Sequence, residues 1–155
     1  GPVYLRLGRY AVPVVFDEKD YKFEFGKGVV IEDGNDVVIF ATGIMLAAAL
    51  GARELLKADG IDAAGVNIHT IKPIDKELIL KYAAKTGKVV TAEEHTVIGG
   101  LGSAVAEVLS ENLPTKMARV GVEDVFGRSA PAGELLEMYG LNAENIANKV
   151  RELCK

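Results

Sequence analysis

Three times between residues 37 and 112 a short apolar run gives way to a stretch of strong helix formers, and that alternation restricts the chain to very few architectures. The run VVIFA (37 to 41) ends in Thr42-Gly43 and leads into IMLAAALGARELL, whose alanines and leucines favour a helix. AAGVNIHTI (63 to 71) reads as a second strand. Lys72-Pro73 punctuates it, Asp75 stands as a helix N-cap before KELILKYAAK, and Gly87 closes that helix. KVVTAEE then precedes the helical LGSAVAEVLSEN, and KMARVGV follows Pro114 as a further strand. Parallel neighbours need a long crossover, and a crossover helix lies over a face of the sheet. The pattern therefore predicts a three-layer α/β/α fold around a mostly parallel sheet.

Both ends break this rhythm. GKGVVIEDGND reads as a strand over 27 to 32 with Asp33-Gly34-Asn35-Asp36 as a tight turn, which predicts a hairpin with the next strand. That brings the sheet to about five strands, one of them antiparallel. At the other end, AENIANKVRELC spaces Ile146, Val150 and Leu153 along one helical face, with Asn142 as its cap. The opening is different again. GPVYLRL has the look of a strand with no local partner, and RYAVPVVFDEKDYKFEF is charged and irregular around Pro13. The expected boundary lies near residue 24, with 1–24 extended and belonging to something larger, and 25–155 forming the domain. No internal repeat or low-complexity tract stands out.

At 155 residues and 49% hydrophobic, the chain is long enough to bury one real core. A net charge of −4, without a basic stripe, gives no electrostatic ground for a nucleic acid or an anionic membrane as partner. The single cysteine, Cys154, leaves no internal disulfide framework. No apolar run approaches the roughly 20 residues that span a bilayer. The expectation is a soluble, cytoplasmic protein.

The densest chemistry lies between Val90 and Leu109. Gly99-Gly100-Leu101-Gly102 follows a predicted strand and opens a predicted helix, where glycines let backbone amides approach a phosphate. Gly100 and Gly102 match the first half of GxGxxG, but Val105 takes the third position. Glu123 or Asp124 stands about where a ribose-binding acid would. Against a dinucleotide, Glu93, Glu94 and His95 intervene between strand and glycines, and carboxylates repel a pyrophosphate. Close backbone packing or an interface suits these glycines better.

Glu93, Glu94 and His95 also suggest acid/base or metal chemistry, since open α/β sheets place ligands at strand C-termini. Adjacent strand residues point to opposite faces, however, so one ligand meets at most one of the two glutamates. His69 belongs to a different strand, and Cys154 has no CxxC partner, which leaves too few ligands for zinc. Ser103 lacks the GxSxG frame of a nucleophile elbow and suits a first helical turn. Arg6 and Arg9 flank Leu7-Gly8, either as a bidentate phosphate grip or as solvated surface charge.

The run KPIDKELILKYAAKTGKVVTAEEHTVIGGLGSAVAEVL resembles the C-terminal domain of transketolase and its relatives, deoxyxylulose-phosphate synthase and the beta chains of 2-oxoacid dehydrogenases. KPID, the VVTAEEH strand end and GGLGSAVAE fall in family order, and GPVYLRLGR resembles the closing strand of the preceding pyrimidine-binding domain. The likeness covers nearly the whole chain. EEH before the glycines, and Gly-Leu-Asn-Ala-Glu-Asn-Ile near the end, are most similar to transketolase itself.

The resemblance implies a thiamine diphosphate enzyme that moves a two-carbon ketol unit between sugar phosphates. It also implies that thiamine diphosphate and magnesium are held by an N-terminal domain with a GDG motif, and that a glutamate of the pyrimidine-binding domain activates the cofactor. This sequence has no GDG. The chain is thus expected to hold no cofactor or metal itself, to be inactive alone, and to buttress those domains or subunits in a homodimer. The same resemblance makes Arg9 a contact to substrate phosphate in the complete enzyme, with Arg6 where the synthases carry an arginine. His69 stands where those synthases have a second phosphate-binding arginine. Glu94, His95, Gly99, Gly100 and Gly102 become an interface or an approach to the active site, with no chemical step assigned. Two further readings are a small nucleotide-binding module using Gly99 to Gly102, and an interaction domain of a multienzyme complex.

Overall fold

The computed structural model describes the whole chain except residues 6, 9 and 10. Among the described residues, β1 (Val29–Glu32), β2 (Val37–Ala41), β3 (Ala63–Asn67), β4 (Lys88–Thr96) and β5 (Lys116–Val122) form one sheet in the order β1-β3-β2-β4-β5. β2, β3, β4 and β5 run parallel, and β1 is antiparallel to β3. Burial explains the order. Every residue of VVIFA in β2 and AAGVN in β3 is buried, which an interior strand covered on both faces requires. β1 alternates between half-buried and exposed residues, as suits an edge.

The hairpin expected between β1 and β2 does not form; β3 lies between them. The residues read as its turn serve the start of β3 instead. The amides of Asn35 and Asp36 donate to the Asp62 carbonyl at 3.0 and 2.9 Å, and Asp36 Oδ2 accepts the Asp62 amide at 2.8 Å. A Cβ on Gly34 would run into the backbone of Ala63 and Ala64, so only glycine passes here. The connection thus crosses the end of β3, and β1 and β2 finish on either side of it.

Helices α1 (Met45–Ala58) and α5 (Ala143–Cys154) cover one face, with Met45, Ala49, Ala52, Leu56, Ile146 and Val150 against Val37, Ile39 and Val90. α2 (Lys76–Thr86) and α3 (Leu101–Asn112) cover the other, where Ile79, Tyr82, Leu101, Val105 and Leu109 meet Val38, Phe40 and Val89. This is the three-layer arrangement that the alternation predicts. The small residues let the layers approach: a Cβ on Gly51 of α1 would lie 3.2 Å from the Ala143 methyl of α5. No helix among the described residues is long and apolar enough to cross a membrane.

The caps agree with the sequence. Asp75 Oδ1 accepts the Leu78 amide at 3.1 Å, and Gly87 ends α2 at φ 67°. Asn142 accepts the Asn145 amide at 2.9 Å, and Ile146, Val150 and Leu153 are buried. α4 (Ala132–Met138), which begins after Pro131, has no counterpart in the sequence reading. The strand expected over 63–71 stops at Asn67, leaving His69 to Ile71 in a loop. The described residues of 1–8 form no strand, and Val3, Tyr4, Leu5 and Leu7 are exposed. Val15 and Phe16 do pack against the α1–α5 side of the core.

Candidate functional site

Parallel α/β sheets take ligands at the C-terminal ends of their strands, and here β4 projects beyond β2. Its pairing with β2 stops at Ala92, and its pairing with β5 jumps from Ala92↔Val120 to Thr96↔Val122. Glu93, Glu94 and His95 occupy that irregularity. Strict alternation is lost there: Glu93 is buried, whereas Glu94 and His95 are both exposed.

Glu93 turns inward to the start of α3. Its Oε2 accepts the Leu101 amide at 2.7 Å, and its Oε1 accepts the Gly102 amide at 2.8 Å, on a side chain only 1% exposed. α3 has Gly100 at its N-cap and no side-chain cap of its own. The carboxylate therefore satisfies two of the orphan amides of that terminus and sets a negative group at the positive end of the helix dipole. The two glutamates that looked paired in sequence have separate roles.

The glycines follow from this contact. A Cβ on Gly100 would collide with the Glu93 carboxylate. One on Gly102 would lie 2.7 Å from Arg119 Cδ and 2.9 Å from Thr91 Oγ1. Gly99, exposed at φ 78°, supplies the left-handed turn, and its amide donates to Ser103 Oγ at 2.9 Å. Ser103 sits in the first turn of α3, and Val105 is fully buried in the core. From β5, Arg119 Nη1 donates to the Val97 carbonyl at 2.8 Å, so the loop is held from both sides.

The remaining candidates do not converge. His95 Nδ1 lies 2.9 Å from the Thr96 carbonyl, so that nitrogen is the protonated one. His69, beyond β3, contacts Thr70 Oγ1 through Nδ1 at 2.8 Å and stacks on Phe23 with ring centroids 4.7 Å apart. β2 separates that strand from β4. Cys154 is exposed at the end of α5. Glu123 and Asp124 are exposed beyond β5. Arg6 and Arg9 lie outside the described residues.

A dinucleotide phosphate at the glycine turn would have to share its amides with the Glu93 carboxylate. Among the described residues, no group of three or more His, Cys, Asp or Glu is placed to hold a metal. Of two open depressions, one of about 240 Å³ lies elsewhere, lined by Arg53, Lys57 and Asp62, and one of about 220 Å³ adjoins the loop, lined by Val97, Arg119, Glu123 and Lys149. Sequence reasoning missed Glu93 as an internal ligand. The signal was there: an acid at a strand end, followed by a helix whose start offers glycine and no capping side chain.

The chain matches the family model described as transketolase, C-terminal domain, over residues 26–146. It is 48% identical to a putative transketolase C-terminal section of Methanocaldococcus jannaschii, covering all of this chain and 49% of that protein. It is 49% identical to the 6-deoxy-6-sulfo-D-fructose transketolase subunit SqwH of Clostridium sp. (strain MSTE9), covering 99% of this chain and 47% of that protein. A solved structure of a split gene transketolase, an inactive beta4 tetramer, superposes with a TM-score of 0.90 at 53% identity, covering 94% of this chain and 48% of that one. The chain thus spans about half the length of the relatives it matches. With its mixed five-stranded sheet and covering helices in the same arrangement, it belongs to the transketolase C-terminal domain family.

Proposed function

We propose that this chain is the C-terminal part of a transketolase-type enzyme that transfers a two-carbon ketol unit between sugar phosphates, and that it has no turnover alone. The observation that carries this reading is the full-length match to a transketolase C-terminal section about twice as long. In this reading thiamine diphosphate and magnesium are held by N-terminal diphosphate-binding and pyrimidine-binding domains, on a partner chain or in the same polypeptide, and the assembly is a homodimer of such units. Residues 1–24 belong with the pyrimidine-binding domain. Residues 25–155 buttress it.

The division of labour within the chain follows. The Glu94–Gly99 crest carries exposed Glu94, His95 and Ile98, and beyond the adjacent β5 come exposed Val125 and Phe126. Exposed Ile98, Val125 and Phe126 are apolar side chains that a protein neighbour would cover. Gly100 and Gly102 support the crest from inside, Arg9 grips substrate phosphate, and Arg6 assists it. The similar split-gene beta tetramer is inactive, which supports silence of the isolated half.

The test is complementation. The chain is mixed with an N-terminal partner, thiamine diphosphate and magnesium, and ketol transfer between sugar phosphates is assayed. The mixture is expected to be active and each part alone silent. Activity confined to 2-oxoacids would overturn the transketolase reading, and condensation of pyruvate with a triose phosphate would move it to the synthases.

A further inference from the structure

The glycine turn before α3 has the geometry of an anion site, and the anion is already present as a side chain. Glu93 presents one carboxylate oxygen to each of two successive amides, those of Leu101 and Gly102, at 2.7 and 2.8 Å. Paired amides at a helix start hold a phosphate in the same way, through short charge-assisted bonds and the helix dipole. The site is closed as well as filled. Glu93 is 1% exposed, Leu101 is fully buried, and Gly100 leaves only enough room for the carboxylate.

We propose that Glu93 is the resident anion of the α3 terminus, and that it excludes phosphate-bearing ligands from a helix start otherwise suited to take them. An incoming phosphate would have to break both amide bonds and bring a second negative group against a buried carboxylate, with Gly100 in contact on the far side. The exclusion determines specificity. It leaves the turn at the end of β4 without the Leu101 and Gly102 amides that a phosphate would need. The inference stands on this geometry alone and holds whatever reaction the assembled enzyme performs.

The experiment removes the carboxylate from the full chain and offers a substitute. Glu93→Ala is expected to lower Tm by roughly 5–15 °C, as two charge-assisted bonds are lost in a chain of this size. Formate, and more weakly inorganic phosphate, should then raise its Tm saturably, while the wild-type chain shows only the general response to salt given equally by chloride. Glu93→Gln, which still fills the space, should lose part of the stability and gain no formate response. A folded Glu93→Ala chain indifferent to formate would overturn the proposal, as would phosphate binding by the wild type with the variant's affinity. Should Glu93→Ala not fold, amide hydrogen exchange of the wild-type chain decides. Leu101 and Gly102 must exchange as slowly as amides in the middle of α3, and exchange at the rate of unprotected amides would refute the closed site.

Discussion

Asp75 Oδ2 accepts the Gly28 amide at 3.0 Å while Oδ1 of the same carboxylate caps α2 at the Leu78 amide. One side chain, 7% exposed, thus starts a helix and fixes the approach to β1. Asp75→Ala removes both bonds and is expected to cost about 2–3 kcal/mol in urea denaturation, with Asp75→Asn losing about half as much. Lys27, at 3.9 Å from Asp75 and 3.3 Å from Glu77, is half exposed and screened by solvent, so Lys27→Ala should change stability far less than Asp75→Ala does. Equal losses from Asp75→Ala and Lys27→Ala would show that the ion pair, not the cap, matters.

Gly100 and Gly133 test the close contact at the α3 terminus against a neutral background. A methyl on Gly100 collides with the Glu93 carboxylate, whereas one on Gly133 of α4 meets nothing within 4 Å. Gly100→Ala should destabilise by about 1–3 kcal/mol. Gly133→Ala should stabilise by about 0.4–1 kcal/mol, because it stiffens the unfolded chain at a helical position. Thermal unfolding of the two variants beside the wild type is sufficient, and a neutral Gly100→Ala would show that the turn yields.

Asp33 supplies a pH signature. The Lys85 ammonium hydrogen-bonded to it, then the Gly34 amide and the Tyr82 hydroxyl, hold its carboxyl down at about 2, against an ordinary 3.8. A folded value below the unfolded one means that the contribution is whole above pH 3.8 and is lost as pH falls towards 2. Asp33→Asn should flatten that limb of the stability–pH curve by lowering the neutral plateau, so that the two proteins differ most above pH 3.8 and converge as pH falls towards 2. Since Asp33 is 65% exposed, added salt should shrink the difference between the two proteins.

In the complemented enzyme, Arg9→Ala should raise KM for phosphorylated sugars and lower kcat/KM by about 10–100-fold, the range of a lost charged hydrogen bond. Arg9→Lys should recover little of this, because an ammonium cannot reproduce a bidentate grip. Equal activity on phosphorylated and unphosphorylated donors in the wild type would remove the role given to Arg9.

The layers were legible because period and burial agree: VVIFA has no polar side, so a strand covered on both faces is the only place for it. Asp75, Gly87 and Asn142 were legible because caps act within a few residues. The placing of β1 was not, since Asp33 to Asp36 has the composition of a hairpin turn, and the hydrogen bonds that redirect it come from Asp62, far along the chain. Glu93 was obscured in the same way. Strand alternation separates it correctly from Glu94, but its partners are amides eight and nine residues on, reached only once β4 and α3 are packed. α4 has no buried residue and leaves little periodic signal to read.

The late arrival of α5 on the face it shares with α1 matters during synthesis. Met45, Ala49 and Ala52 share a core with Ile146, Ala147 and Val150, and Arg151 reaches Asp59 at 2.8 Å across that boundary. A nascent polypeptide that has not reached residue 143 therefore exposes a bare greasy flank, and a stop codon ahead of α5 should yield inclusion bodies. Trimming residues 1–13 leaves Val15, Phe16 and that flank covered, and should yield soluble protein.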